Sequence, residues 1–432
     1  MPAKLDIFNL FSRQQEFSMT NLQYLAILAI TLASCHQVNP LDDSSTTGLR
    51  GGMWLFQLQT GQVVIPFHAE VAANDTGMCL TIFNAEERIQ IKDITLNGDS
   101  LLISMPFFNS LLYGKVIGDT VWEGRWIDRN RGEDYSIPFR AVFKDSIRRF
   151  DLLTRGNADF SGKWSVTFSP DSVNNTKAIG LFYQNGDRAS GTFLTEMGDY
   201  RYLEGNTAGN QLAMSCFDGS HAFLFKAEMR RDGSLDGKFW SGNHWSEKWT
   251  ATRDSSATLR HPDSLTSFDL KKPLNTLSFL GSNDREFVLD MNRLKDKVTI
   301  VQIMGSWCPN CADESRLFGE LYRQYHKEGL EIVGVSYEKV SLVPEAFEKI
   351  AHFKKSAGVE YPIVYGGSAS KKKASEDFYM LGEITSFPTA VIFDKNGEIR
   401  KVHTGFYGPG TGEYYSKFKG DLEQFIANLL LE

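Results

Sequence analysis

Gly305-Ser306-Trp307-Cys308-Pro309-Asn310-Cys311 sets two cysteines two residues apart, where an apolar run from Val298 to Met304 gives way to a helical pattern. That spacing serves redox pairs and also half of a zinc site. Zinc needs four ligands, and no second Cys-x-x-Cys or His-x-x-x-His follows, so the residues favour redox chemistry and no metal. A strand ending here and a helix beginning would put Cys308 against the first free N–H groups and the positive end of the helix dipole, which favour a thiolate. The thiolate is the attacking species. Cys308 is therefore read as the nucleophile and Cys311, one turn inward, as the resolving thiol. Pro309 falls at the first helical position, where a missing N–H costs nothing. Asn310 keeps its N–H and is expected to add a donor to Cys308.

Working downstream, the pattern predicts a helix to about His326, a strand from Leu330 to Tyr337, a helix from Pro344 to Ala357 and a strand near Tyr361 to Tyr365. An insertion rich in Lys and Ser follows. Strands from Thr389 to Asp394 and Glu398 to His403, joined at Lys395-Asn396-Gly397, lead to a final helix from Tyr415 to Leu431. Alternating strands and helices imply an α/β domain with one antiparallel edge.

The segment Trp307-Cys308-Pro309-Asn310-Cys311, with Glu314 three residues on and Ser386-Phe387-Pro388-Thr389 downstream, resembles the TlpA/ResA branch of the thioredoxin superfamily over residues 274–432. The resemblance implies a thioredoxin-like fold and a thiol-disulfide oxidoreductase, without a cofactor, that reduces or reshuffles disulfides of periplasmic or outer-membrane proteins. A membrane thiol donor would supply its electrons. It implies Glu314 as the acid-base group, Pro388 as a cis-proline, and Trp307, Phe387 and Pro388 as the docking surface for an extended client. The chain departs from the family in three places. Proline follows the first cysteine instead of preceding the second, Gln302 stands where thioredoxin has a buried aspartate, and Arg316 replaces a usual proline. A peroxidase of the AhpC/TSA type shares the fold, but the threonine usual three residues before its cysteine is Gly305 here. A third alternative is a ligand-binding lipoprotein whose thioredoxin-like domain only docks.

Residues 52–253 contain short aromatic and β-branched runs punctuated by Gly, Asn and Asp, the pattern of an all-β region. They repeat at a spacing of about 110 residues. Gly52-Met53-Trp54 answers Gly162-Lys163-Trp164, Leu101 to Met105 answers Leu212 to Cys216, and Trp122 to Trp126 answers Leu235 to Phe239. Two copies, 52–150 and 151–253, are expected as sandwich-like or barrel-like units. Trp240, His244 and Trp245 are read as core aromatics or, alternatively, a ligand site. Cys79 and Cys216 fall at non-equivalent positions and read as buried thiols or as a structural disulfide. Residues 254–273 lose periodicity and read as a linker.

At the N-terminus, Leu22 to Leu32 is apolar but about half the length that spans a bilayer. It runs into Leu32-Ala33-Ser34-Cys35, which resembles a bacterial lipobox. The expectation is a lipoprotein signal peptide over 1–34, a lipid anchor on Cys35, a polar tether over 35–51, and a periplasm-facing place on the outer rather than the inner membrane. The chain has 432 residues, five cysteines and a net charge of −7. That charge argues against nucleic acid as a partner, and so few cysteines exclude a disulfide-built scaffold.

Overall fold

The computed structural model describes residues 49–74, 77–144, 148–152, 158–269, 276–282, 285–340 and 342–432. The signal-peptide and lipobox readings, Cys35 included, lie outside them. Among the described residues no helix is long and apolar enough to cross a membrane.

The β-rich half forms two nine-stranded antiparallel sheets, each an up-and-down meander whose first long strand pairs with its last. In the first sheet Trp54 of Gly52–Gln59 faces Phe143 of Ser136–Phe143. In the second, Trp164 of Gly162–Phe168 faces Arg253 of Trp245–Arg253. Alternation drives both, since Trp164, Val166 and Phe168 point inward and their neighbours outward. Duplication is visible in detail, because Trp54 and Trp164 each donate the indole N–H to the carbonyl four residues earlier, at 2.9 Å.

The two copies close differently. In the second, Thr176–Asn185 pairs with Arg188–Thr195, which completes a barrel, and the two-residue strand Gly198–Asp199 hangs from Arg188–Thr195 as a side hairpin. In the first, Glu87–Ile91 and Ile94–Asn97 end opposite edges of the sheet. Its core is completed from outside by Ala213, Phe217, Ala222 and Leu224 of the second barrel. Phe217 stacks on Phe67 at 4.3 Å, and its N–H and C=O both bond the buried Asn84 amide. Cys79 and Cys216 are buried in different sheets.

The C-terminal domain is a seven-stranded sheet. Val298–Met304 lies in its interior, parallel to the middle strand Leu330–Glu338, which is parallel to Ile363–Ser368. On the other side Thr389–Phe393 and Ile399–Thr404 form the antiparallel edge expected from the Asn396-Gly397 turn. All seven residues of Val298–Met304 are buried, as a strand covered on both faces requires. Helices Pro309–Tyr325, Val343–Ala357 and Glu413–Leu431 supply the cover. Two elements differ from the sequence reading. The opposite edge is also an antiparallel hairpin, Leu277–Leu280 with Glu286–Leu289, and the Lys- and Ser-rich insertion contains the helix Lys371–Asp377, capped by Ser370.

Residues 254–269, polar enough to read as a linker, are bonded on both sides: Asp254 and Arg260 to the second β-unit, and the part from Asp263 on to the C-terminal domain. Asp263 meets His403 at 2.6 Å, Thr266 meets Thr404 at 2.6 Å, and Phe268 bridges to Leu381. A buried charge cluster adds a second tie. Arg201, almost fully enclosed, reaches Glu87 of the first sheet at 2.5 Å, Asp218 of the second at 3.5 Å, and Asp313 of the helix Pro309–Tyr325. Removing Arg201 would take from Glu87 its ion-pair partner and leave Asp218 and Asp313 with only His221 and Arg316 beside them, so buried negative charge would go uncompensated. Arg201→Ala is expected to cost about 3–5 kcal/mol, read as a lower urea midpoint of the full chain. A midpoint unchanged from wild type would contradict this role.

Candidate redox site

Strand Val298–Met304 ends below Gly305, and the chain turns through Ser306 and Trp307 into the helix Pro309–Tyr325. Cys308 is the N-cap, with extended backbone at φ −100° and ψ 114°, and Pro309 takes the first helical position. Its sulfur accepts the Cys311 N–H at 3.2 Å. The donor is thus Cys311, the third helical residue, and not Asn310 as the sequence suggested, because an N-cap side chain can reach the N–H of either the second or the third helical residue. Cys308 and Cys311 are disulfide-bonded, with Cα atoms 5.2 Å apart. Cys308 keeps 7% of its surface exposed and Cys311 none. The Phe387–Pro388 peptide is cis, and the Phe387 carbonyl oxygen lies 3.6 Å from the Cys308 sulfur.

Beneath the pair sits Glu314, fully buried. Gln302 of the strand Val298–Met304 donates its Nε2 to Glu314 Oε2 at 2.8 Å and also lies 3.4 Å from the Cys311 carbonyl. Ser315 and Tyr361 hydroxyls donate to Gln302 Oε1 at 2.9 and 3.1 Å, which fixes the amide's orientation. Among the described residues Glu314 Oε1 has no hydrogen-bond partner. Loss of water raises the Glu314 pKa to about 8 against the opposing pull of the Gln302 bond.

The remaining predicted residues gather at the same end of the sheet. Trp307 donates its indole N–H to the Tyr337 carbonyl at 2.9 Å and carries Lys339 over its ring at 4.1 Å. Phe387 stacks on Tyr337 at 5.8 Å and meets Trp307 edge-on at 6.0 Å. Its ring is therefore buried support, and its carbonyl is the part facing Cys308. Ser306 is held from below by Glu338, through its N–H at 3.0 Å and its hydroxyl at 2.7 Å. Ser315, Tyr361 and Glu338 carried no signal in the sequence, since each looks like an ordinary residue of an amphipathic helix or strand. Trp240 is half-buried against the core of the first sheet and His244 contacts Arg131 at 2.9 Å, while Trp245 is exposed. Among the described residues no group of three or more His, Cys, Asp or Glu is placed to hold a metal.

Burial of Glu314 has a stability signature. Its folded pKa is raised above the unfolded value, so its protonated form costs nothing below about pH 4.5, and stability declines as pH rises toward 8. Relative to wild type, Glu314→Gln is expected to gain stability across that window, by a few kcal/mol at its upper end. Urea unfolding at a series of pH values would read this; a difference independent of pH would contradict it.

The AhpC/TSA family profile matches residues 268–402. The thiol-disulfide oxidoreductase ResA of Geobacillus kaustophilus is 32% identical over 134 residues, covering 29% of this chain and 70% of that protein. ResA of Bacillus subtilis is 28% identical over 133 residues, covering 29% and 67%. Solved structures that align include a thioredoxin-family thiol:disulfide interchange protein from Chlorobium tepidum, with TM-score 0.28, 22% identity, 37% of this chain and 95% of that one. The thioredoxin domain of a thiol-disulfide oxidoreductase from Bacteroides vulgatus aligns with TM-score 0.27 and 18% identity over 35% of this chain and 99% of that one.

Proposed function

The chain belongs to the ResA-like thiol-disulfide oxidoreductases, and we propose that Cys308 and Cys311 carry its exchange reaction, with Glu314 as the proton carrier. The observation that carries this reading is the Cys308 sulfur at a helix start, accepting the N–H of Cys311, whose carbonyl is linked through Gln302 to the buried Glu314 carboxyl one helical turn on. In the reduced enzyme the Cys308 thiolate attacks a client disulfide. A Cys308–client disulfide forms, the client S–S bond breaks, and the departing client sulfur takes the electron pair and a proton. Cys311 then gives up its proton and displaces the client from Cys308, leaving the client dithiol and the Cys308–Cys311 disulfide. An external thiol donor returns the two electrons.

The resolving step needs a base, and Cys311 is enclosed. Glu314, with a pKa near 8, exchanges a proton in the range where a thiol titrates. Gln302 cannot titrate and serves to aim the carboxyl. Pro388 and the Phe387 carbonyl would present an extended client to Cys308 in strand-like register.

A peroxidase of the AhpC/TSA type is disfavoured by Gly305. A Cβ there would overlap the Trp307 indole and come within 2.9 Å of the Tyr337 carbonyl, so the threonine of such enzymes has no room. The clients we infer are disulfide-bearing proteins of the bacterial cell envelope, reached by a lipid anchor on Cys35 that faces the periplasm. Support for this is the Leu32-Ala33-Ser34-Cys35 segment.

With the full chain reduced by dithiothreitol, glutathione disulfide should be reduced at a rate that Cys308→Ser abolishes. Cys311→Ser should accumulate a covalent adduct on Cys308, visible by mass spectrometry. Glu314→Gln should slow resolution by about 10²-fold. Full activity in Cys308→Ser would overturn the assignment.

A further inference from the structure

One hairpin of the β-rich half reaches the redox site. In the second barrel, strand Arg188–Thr195 turns through Glu196 and Met197 into Gly198–Asp199, and this tip lies against three loops of the C-terminal domain. The Met197 carbonyl accepts the Ser386 hydroxyl at 3.0 Å, two residues before Pro388. Asn310, between the two cysteines, points its Nδ2 at the Asp199 carbonyl, 3.5 Å away. The Asp199 carboxylate accepts the Gly408 N–H at 2.5 Å. The contact is tight on both sides. A Cβ on Gly198, whose φ is +139°, would overlap that Asn310 amide, and one on Gly405 would meet the Glu196 and Met197 backbone at 3.0 Å.

Two of those loops meet at the Cys308 sulfur, and the third bonds the second of them, Gly405 N–H to the Pro388 carbonyl at 2.9 Å. The three are, in order, the turn that carries the cysteine pair, the cis-proline turn, and the turn after the last strand. A disulfide approaching the Cys308 sulfur along the cis-proline turn meets a flank on which the hairpin already holds hydrogen bonds to Ser386 and Asn310. On the Trp307 side, by contrast, a cleft of about 1050 Å³ opens between the two halves, bordered by Ser306, Lys339, Phe107 and Asn130. Resting on the oxidoreductase reading above, we propose that the 195–199 hairpin is a specificity element of the redox site. It narrows the approach so that Cys308 exchanges with small or extended disulfides and rejects those on compact folded surfaces. Arg201, just beyond the hairpin and bonded to Asp313 two residues after Cys311, ties the hairpin's base to the helix that carries the pair.

The test compares initial rates of the full chain, reduced by dithiothreitol, on glutathione disulfide and on insulin. In Met197→Gly, which trims an exposed tip, and in Asp199→Ala, which removes the Gly408 bond, the insulin-to-glutathione rate ratio should rise several-fold. An unchanged ratio in folded, active variants overturns the inference and leaves the oxidoreductase reading standing. A wild-type chain inert on both substrates sinks both. A second measurement needs no variant. In reduced native wild type, Cys308 should be alkylated readily by iodoacetamide and far more slowly by a polyethylene-glycol maleimide, relative to the same two reagents on the urea-unfolded chain. An equal ratio in native and unfolded protein also overturns it.

Discussion

A helix must begin somewhere, and its first N–H groups need an acceptor. Here the acceptor is the sulfur of Cys308, held in extended backbone between the buried strand Val298–Met304 and the helix Pro309–Tyr325. Much of the site's geometry follows from that one bond. It places Cys308 at the positive end of the helix, puts Cys311 one turn inward and out of solvent, and puts Glu314 a further turn below, against Gln302 of the same strand. The strand can play this part because it is covered on both faces, so its end point is fixed.

The two β-rich units are built into this arrangement. The first borrows part of its core from the second, and the second sends Arg201 to Asp313 and its hairpin to Asn310, Ser386 and Gly408. Burying an arginine among carboxylates is costly unless the partners are complete, which gives the three folding units a reason to keep one relative geometry. The residues at 254–269 reinforce it through Asp263 and Thr266.

What could be read from the chain was whatever has a short sequence period or a fixed spacing. The buried parallel strand, the N-cap cysteine with proline behind it, the Asn396-Gly397 turn and the 110-residue duplication all announce themselves locally. The cis Phe387–Pro388 bond came from family resemblance, since an X–Pro bond seldom declares its isomer in sequence. What was not legible depends on long separation. Arg201 and Asp313 are 112 residues apart, and Met197 and Ser386 are 189 apart. The Asn310 donor failed for a subtler reason, because capping geometry selected the third helical N–H over the second. The hairpin Leu277–Leu280 with Glu286–Leu289 is too short and too half-buried to stand out from its polar surroundings.

The central claim is that Cys308 and Cys311 form one intramolecular two-electron couple at a helix start. Equilibrating the full chain across a series of thiol-disulfide buffers and alkylating after each quench would test it most directly. The account predicts that both cysteines gain protection together, with the oxidised-to-reduced ratio changing tenfold for about every 30 mV. Protection of one cysteine without the other, or a couple that appears only as cross-linked dimers, would contradict it.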